Sequence, residues 1–311
     1  MSRLIRIATR RSRLALWQAG HVAERLRALH PGSEVRLVPI VTAGDRILDR
    51  SLAAIGGKGL FIKELEQAML AGAAELAVHS MKDVPAALPA GFTIAAILER
   101  ADPRDAFVSD RHGSFADLPP DARVGTSSLR RQCQLLNRRP DLRILPLRGN
   151  VETRLARLQS EGLDAIILAA AGLDRLGLGA RIRERLATGI SLPAVGQAAI
   201  GIECRDADAG TAALLAPLDH APTRSCVEAE RAFALRLGGS CQSPVAAFAE
   251  LQGTTLRLRG LVGAPDGSNV FADSEARPAG APGDIGIALA ERLLAAGAGP
   301  LLETLRHGGS P

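Results

Sequence analysis

The chain has 311 residues, so two or three domains are expected, because a single hydrophobic core rarely serves more than about 250–300 residues. Hydrophobic content of 47% and charged content of 23% are ordinary for a soluble globular protein. Aromatic residues make up only 3%, which argues against binding single-stranded nucleic acid through stacked rings. The formal net charge of +5 favours anionic partners but identifies none.

The first residues alternate like a strand and lack the apolar core of a signal peptide. No run of about 18 apolar residues occurs, so no membrane span is expected. The four cysteines form no C-x-x-C pair, which argues against zinc or another metal and against a disulfide framework. Free thiols in a reducing cytoplasm are therefore expected at Cys133, Cys204, Cys226 and Cys241.

Predicted strands and helices alternate from the N-terminus to about Ala199, which is typical of a largely parallel α/β architecture. In the first half, a helix is predicted to begin after Ser12 as N-cap and to end at Leu29, and a second helix to open at 56–59. The predicted strands of this half are 4–8, 35–41, 76–78 and 92–98.

A second α/β set follows residues 102–105, which break the pattern and are interpreted as a domain crossing. Its predicted strands are 123–125, 144–147 and 165–169, and its predicted helices are 129–137 and 151–159. The two halves resemble each other, because 9–12 (TRRS) and 126–131 (TSSLRR) each follow a first strand. Each places hydroxyls and paired arginines at a helix N-terminus, where free N–H groups favour anions.

The pattern changes from Ala221 onward. A helix at 223–237 precedes a turn of small residues, and strand-like segments follow at 245–251, 255–262 and 269–272, before a helix at 285–296. This pattern predicts a small α+β third domain. The tail after His307 is expected to be unstructured.

A group of polar residues follows the predicted strand at 76–78: His79, Ser80, Lys82 and Asp83. Parallel strands place ligands just past their carboxyl ends, so this segment predicts a functional site. Asp83 is unusual because most similar turns here carry Arg or Lys. It could stabilise a cationic intermediate and relay protons on nitrogen, although an aspartate beside proline more often caps a turn. His79 is the weaker choice and is expected in a hydrogen-bonded core.

Cationic residues recur in polar turns beside Gly, Ser or Thr. Arginine pairs with carboxylates through two hydrogen bonds, so a substrate with several carboxylates would need such a set. For any one of these residues alone, a solvated surface position is the commoner outcome, and Arg138 and Arg139 are assigned to it. The set comprises Arg10, Arg11, Lys58, Lys63, Lys82, Arg130, Arg131, Arg148, Arg154 and Arg175.

Two further motifs carry residue types that are common at functional sites. Residues 56–59 (GGKG) resemble a phosphate loop but lack its spacing, so nucleotide chemistry is not expected. Cys241 follows a turn of small residues and precedes Pro244, so its thiol is expected on a loop, where a reactive and an inert role are both open. The other three cysteines lie in apolar surroundings and are predicted to be buried.

Ten motifs in one order, spanning residues 5 to about 294, resemble the porphobilinogen deaminase (hydroxymethylbilane synthase) family. They read IATRRSRLALWQA, GDRILD, GGKGLFIKELE, HSMKDVP, DPRDAFVS, GTSSLRRQ, RGNVETR, AGLDRLGL, SLPAVGQ and GSCQSP. The resemblance implies a transferase of tetrapyrrole and heme biosynthesis. It would join four porphobilinogen units head to tail with loss of ammonia, primed by a dipyrromethane cofactor on Cys241.

The resemblance also implies an architecture. Two related α/β lobes of the periplasmic-binding-protein type would flank a cleft, and a small α+β domain would carry the cofactor. The expected limits are 1–98 with 199–217, then 103–193, then 221–306, with crossings near 98–103 and 191–199. A cytoplasmic monomer that binds neither nucleic acid nor membrane is expected.

Roles follow from motif positions. Asp83 would assist loss of ammonia and stabilise the cation that forms. The cofactor would be held by Cys241, Lys58, Ser80, Lys82, Thr126, Ser128, Arg130, Arg131, Arg148 and Gly149. The substrate would be bound by Arg10, Ser12, Gln18, Arg148, Arg154 and Arg175.

The chain departs from the family pattern at four positions. Arg13 stands at a usual Pro, Ala198 at a frequent Gly, Ser240 at a frequent Gly and Ser243 at a usual apolar residue. Two other functions stay open: a non-catalytic two-lobed protein that binds a polycarboxylate ligand, and a protein that binds nucleic acid through its basic surface.

Overall fold

The structure, a computed structural model, describes residues 3–46, 61–238 and 243–306. Two predicted cofactor residues, Lys58 and Cys241, and the predicted helix start at 56–59 lie outside the described residues, as does the tail after 306. The chain divides into two compact units. One comprises Met1–Ala101 and Ala198–Arg224, and the other comprises Asp102–Gln197 and Ser225–Pro311.

The first stretch of chain alternates strands with helices. In chain order its elements are β1 (Leu4–Arg10), α1 (Arg13–Leu29), β2 (Glu34–Ile40), α2 (Ala43–Arg46), α3 (Lys63–Leu70), β3 (Leu76–Ser80), a 3₁₀ turn (Met81–Asp83) and β4 (Phe92–Ile97).

The second stretch repeats that alternation and then returns to the first unit. Its elements are β5 (Asp105–Val108), β6 (Arg123–Gly125), α4 (Leu129–Arg138), β7 (Arg143–Leu145), α5 (Val151–Ser160), β8 (Ala165–Ala169), α6 (Ala170–Arg175) and β9 (Glu184–Arg185). After the return come β10 (Ile200–Arg205) and α7 (Ala209–Leu215).

The last stretch begins with α8 (Ala221–Arg236) and continues with β11 (Val245–Gln252), β12 (Thr255–Gly263), β13 (Val270–Pro278), α9 (Pro282–Leu293) and α10 (Gly299–Arg306). The three strands form an antiparallel sheet in the order β11-β12-β13. Phe233, Leu258 and Leu289 lie in the core between this sheet and its helices. The predicted α+β third domain is therefore confirmed.

The α1 helix shows why these elements form where they do. The side chain of Ser12, the predicted N-cap, accepts a hydrogen bond from the backbone N–H of Ala15 at 3.3 Å. Ala19, Val22 and Leu26 recur at helical spacing and are fully buried against the sheet. The helix thus starts at its cap and buries one apolar stripe.

The two five-stranded sheets have the same topology. Their orders are β2-β1-β3-β10-β4 and β7-β6-β8-β5-β9. In each, the first three strands are parallel, and the fourth is antiparallel to both neighbours. This confirms the α/β class and the kinship of the two halves, and corrects the largely parallel expectation to mixed sheets. The antiparallel fourth strands β10 and β5 each begin within a few residues of a switch between units.

Among the described residues, one helical stretch, Pro282–Arg306, is long and apolar enough to cross a membrane by length and composition alone. Ile285, Leu289 and Leu293 of this stretch lie in the core of the third domain. The stretch also bends at Gly297, where φ is 111°. Side chains buried in this way are typical of a core helix in a folded domain.

A substitution at Gly201, which lies in β10, would test how tightly the protein is packed behind β3. A Cβ added at Gly201 would clash with the Sδ of Met81, which is 1% exposed. We expect Gly201→Ala to destabilise the protein by about 1–3 kcal/mol, because a filled core resists added volume. Gly20→Ala is the matched control: it lies inside α1 with open space around it and should stabilise by about 0.5–1 kcal/mol. Urea denaturation of both variants measures the difference, and equal shifts would contradict the packing argument.

Candidate active site

Several predicted site residues of the first unit lie at one edge of its sheet. The strands β1 and β3 are parallel neighbours that end at Arg10 and Ser80, so their carboxyl ends meet at the same edge. A pocket there brings together four of the predicted residues: Arg10, Gln18, Ser80 and Asp83. Its other lining residues are Ala15, Phe61, Ile62, Val78 and His79.

Arg10 is held in place by an acid and a ring. Its guanidinium forms an ion pair with Asp45, including a hydrogen bond from Nε to Oδ1 at 3.2 Å. It also lies over the ring of Phe61, 4.0 Å from the centroid. Burial raises the pKa of the Asp45 carboxyl, but the hydrogen bonds from Arg10 and Thr42 outweigh burial and lower this pKa overall. Arg10 is therefore a fixed cation at the pocket.

Gln18 carries a buried donor that has no partner among the residues that the structure describes. The residue is 3% exposed, and its Nε2 forms no hydrogen bond among the described residues. An unpaired buried amide costs free energy, so a ligand acceptor in the pocket would complete this site. Ser12 is differently placed, because its Oγ is engaged as the cap of α1.

Asp83 closes the short 3₁₀ turn that follows β3. It is partly exposed and lines the pocket. Within the part of the chain that the structure describes, no hydrogen bond or ion pair engages the Asp83 carboxylate or the Ser80 hydroxyl. Both groups are therefore available to a ligand. Lys82 is in the same turn.

His79 has a structural setting, as the sequence predicted. Its Nε2 lies 2.8 Å from Oε2 of Glu203, and both side chains are almost fully buried. Glu66 is also buried; its burial, followed by repulsion from Glu203, raises the pKa of its carboxyl. The His79–Glu203 pair therefore joins the neighbouring strands β3 and β10.

The second unit repeats the hydroxyl-and-arginine start of a helix. Ser128 is the N-cap of α4, and its Oγ accepts from the backbone N–H of Arg131 at 3.4 Å. Thr126 is buried, and its Oγ1 accepts from the backbone N–H of Ser128 at 3.2 Å. The parallel with Ser12 and α1 supports the internal repeat.

Arg130 and Arg131 differ from the expectation of side chains in an open polar turn. They are 4% and 6% exposed, and each forms an ion pair with the fully buried Asp105, at 2.9 Å and 2.7 Å. Although burial raises the pKa of Asp105, the two arginines hold it well below its usual range. Nε of Arg131 is buried and has no partner among the described residues. Two cations thus face one carboxylate.

The remaining predicted residues of this unit surround α5 and the end of α6. Arg148 has a buried Nη1 without a hydrogen-bond partner in the described chain. Gly149 has φ of 108°, which suits glycine, and its carbonyl accepts from Nε of Arg154 at 2.8 Å. Burial lowers the pKa of Arg175 to about 10, so this residue stays protonated at neutral pH.

Three cysteines are buried thiols, as predicted: Cys133, Cys204 and Cys226. Burial raises the pKa of Cys133 to about 12 and that of Cys204 to about 11. Thiols with such pKa values carry almost no thiolate at neutral pH and are poor nucleophiles.

Sequence reasoning missed three acids that organise these sites: Asp45, Asp105 and Glu203. Asp105 stands in a segment interpreted only as a crossing, and Glu203 in a segment without any predicted element. A single acid within or beside an apolar run, as in DAFV and IGIE, could have indicated Asp105 and Glu203 from the sequence. A charge that is buried in a sheet needs a partner, so such an acid predicts an ion pair.

Two solved structures of binding proteins are similar to this chain. A putative methionine-binding lipoprotein from Bacillus subtilis is 12% identical, with a TM-score of 0.44, over 70% of this chain and 90% of that one. The aliphatic sulphonate binding protein SsuA from Escherichia coli is 16% identical, with a TM-score of 0.43, over 76% of this chain and 70% of that one.

Two family models match the chain and cover nearly all of it. Residues 5–213 match "Porphobilinogen deaminase, dipyromethane cofactor binding domain", and residues 224–295 match "Porphobilinogen deaminase, C-terminal domain". The matches do not favour the non-catalytic alternative. The chain therefore belongs to the porphobilinogen deaminase family and is a hydroxymethylbilane synthase, a transferase of tetrapyrrole biosynthesis that uses a dipyrromethane cofactor.

Proposed function

We propose that Asp83 is the acid–base residue of this enzyme and that the pocket beside it binds the porphobilinogen unit being added. The observation that carries the proposal is the pocket itself, where Arg10, Gln18, Ser80 and Asp83 meet. Among the described residues, Gln18 Nε2 lacks a hydrogen-bond partner, and no contact engages the Asp83 carboxylate. A cation, two neutral polar groups and an acid suit a substrate that carries carboxylates and an aminomethyl group.

In this proposal Asp83 acts on the aminomethyl nitrogen. It would manage the proton on that nitrogen as the C–N bond breaks and ammonia leaves. Its negative charge would then stabilise the cationic pyrrole that remains. At an effective dielectric constant of about 20, a cation about 4 Å away is stabilised by roughly 4 kcal/mol. Arg10 would meanwhile hold a substrate carboxylate, since Asp45 and Phe61 fix its orientation.

The residues of the second unit fit the cofactor, which carries acetate and propionate groups. Arg130 and Arg131 share one carboxylate, and Arg131 Nε and Arg148 Nη1 are buried donors without partners in the described chain. One further carboxylate would balance the paired arginines. When bound, the dipyrromethane supplies the pyrrole carbon from which the chain grows. The cofactor residues would be Cys241, Lys58, Ser80, Lys82, Thr126, Ser128, Arg130, Arg131, Arg148 and Gly149.

The substrate acid groups would be bound by Arg10, Ser12, Gln18, Arg148, Arg154 and Arg175. For Ser12, the cap bond leaves room for a second hydrogen bond, because a hydroxyl both donates and accepts. Arg148 is assigned to both ligands, which are successive units of one growing chain.

The proposal also covers the limits of the domains, the cellular compartment and the oligomeric state. The domains would be 1–98 with 199–217, 103–193 and 221–306. A cytoplasmic, monomeric enzyme that binds neither membrane nor nucleic acid is proposed. Three thiols without disulfides support a reducing compartment, and light scattering of the purified protein tests the monomer.

Gln18→Leu tests the pocket. If the amide binds substrate, we expect KM for porphobilinogen to rise roughly tenfold, the usual effect of one lost hydrogen bond to a charged group. If the amide binds nothing, removing an unpaired buried donor should instead raise Tm and leave KM unchanged, which would contradict the proposal. Arg25→Leu, on the exposed side of α1, is the matched control and should leave KM unchanged.

A further inference from the structure

Asp105 is the centre of a buried polar network at the start of β5. Its Oδ1 accepts from Arg131 Nη2 at 2.7 Å and from Gln197 Nε2 at 2.9 Å. Its Oδ2 accepts from Arg130 Nη2 at 2.9 Å and from Ser191 Oγ at 2.7 Å. Every lone-pair position of this carboxylate is therefore occupied, and the residue has no exposed surface.

Each guanidinium group is also held through its other terminal nitrogen, Nη1, which donates to a backbone carbonyl. Arg130 Nη1 donates to the carbonyl of Leu192 at 2.6 Å, and Arg131 Nη1 donates to the carbonyl of Ile167 at 2.9 Å. Each arginine thus spans from Asp105 to a backbone carbonyl. Arg131 Nε is a further donor that is buried and has no partner among the described residues.

The charges do not balance within this network. One carboxylate faces two guanidinium groups, both of which stay protonated in proteins, so a net charge of +1 is buried. An uncompensated buried charge is costly, and a ligand carboxylate would relieve it. Without Asp105, the net charge would be +2, and each arginine would keep its backbone carbonyl but lose its anchor at the other terminal nitrogen.

The same carboxylate also anchors both segments where the chain changes units. Gln197 Nε2 bonds both Asp105 and the carbonyl of Pro103, at 2.7 Å to the latter. Ser191 reaches Asp105 from the returning segment. The orientation of the arginines is thereby tied to the ends of both crossings.

We propose that Asp105 is a positioning residue that orients Arg130 and Arg131 so that the pair binds one carboxylate of the cofactor or of the growing chain. This rests on the proposed role of that pair. Asp105 does not contact the ligand itself. Its negative charge reduces the net charge of the two arginines from +2 to +1, and its hydrogen bonds fix the positions of their donor atoms. The other interpretation is that Asp105 only neutralises two buried arginines and has no influence on ligand binding.

The test compares Asp105→Asn and Ser191→Ala with Asp141→Asn in the full-length enzyme. Asp141 forms an ion pair with Arg139 at the exposed end of α4, the helix that also carries Arg130 and Arg131. The Asp141→Asn variant should therefore behave as wild type. Ser191→Ala keeps every charge and removes the 2.7 Å bond to Asp105 together with a longer 3.4 Å bond from Arg130 Nη1, so it should fold even if Asp105→Asn does not. We expect Ser191→Ala to raise KM for porphobilinogen about tenfold, with kcat within about twofold.

The cofactor provides a second measurement. Intact mass gives the fraction of chains that carry it, and we expect this fraction to fall in folded Asp105→Asn. Variants that lower Tm alone, with wild-type KM and wild-type cofactor content, would overturn the positioning role. Arg131→Leu separates the two proposals: normal KM and cofactor content there would refute the role of the arginine pair itself. A defect in Arg131→Leu without any in the Asp105 and Ser191 variants would refute only the inference about Asp105.

Discussion

Asp83→Asn should lower kcat by about 10²–10⁴-fold, the range usual for loss of a positioned acid–base group. Asparagine preserves size and shape but can neither take up the proton nor offset a positive charge. Because Asp83 lines the pocket from a short turn, and no described residue pairs with its carboxylate, the substitution breaks no contact of the fold. Tm and cofactor content should therefore stay close to wild type.

The measurement is ammonia release and hydroxymethylbilane formation at saturating porphobilinogen. Asp206→Asn, an exposed acid directly after β10 in the same unit, is the matched control and should retain full activity. If Asp83→Asn turns over within a few-fold of wild type, Asp83 is not the acid–base residue. A large loss of Tm or of cofactor would instead mean that Asp83 supports the structure.

Cys241→Ser should abolish cofactor attachment and with it all turnover. The buried cysteines make poor alternatives, since burial raises the pKa of Cys133 to about 12 and that of Cys204 to about 11 and Cys226 is also buried. A buried protonated thiol neither attacks carbon readily nor accommodates two pyrrole rings.

Intact mass spectrometry measures this directly. Wild-type protein should exceed its sequence mass by two pyrrole units, located on the peptide that contains Cys241, and should give a pyrrole colour with an acidic aldehyde reagent. Cys241→Ser should have its sequence mass and no colour, whereas Cys226→Ala should keep both. An unmodified Cys241 in active protein, or a modified cysteine elsewhere, would contradict the assignment.

Much of the fold follows from local pattern. The strands near β1, β3, β6 and β8 were predicted because short apolar runs alternate with helical periodicity, and α1 because Ser12 precedes an apolar stripe. The strands β5 and β10 were missed as elements. Each takes the fourth position in its sheet by pairing with strands far away in sequence, which no local pattern records.

The segment in which the chain returns to the first unit shows a similar limit to prediction from sequence. Ala198 stands where relatives often have Gly, and the structure gives it φ of 71°. This left-handed conformation costs a residue with a Cβ about 1–2 kcal/mol. The sequence showed the unusual residue, while the conformation that makes it unusual depends on the return of the chain into β10.

The sequence by itself determined the family, because many motifs in one order leave little freedom, and it singled out Asp83 by charge among cationic turns. Only the tertiary structure decided which side chains share a pocket and which are already paired. It placed Arg10, Gln18, Ser80 and Asp83 together, and it paired Arg130 and Arg131 with Asp105. The physical reason is that a buried charge must find its partner in space, and the sheet register, not sequence spacing, brings the partners together.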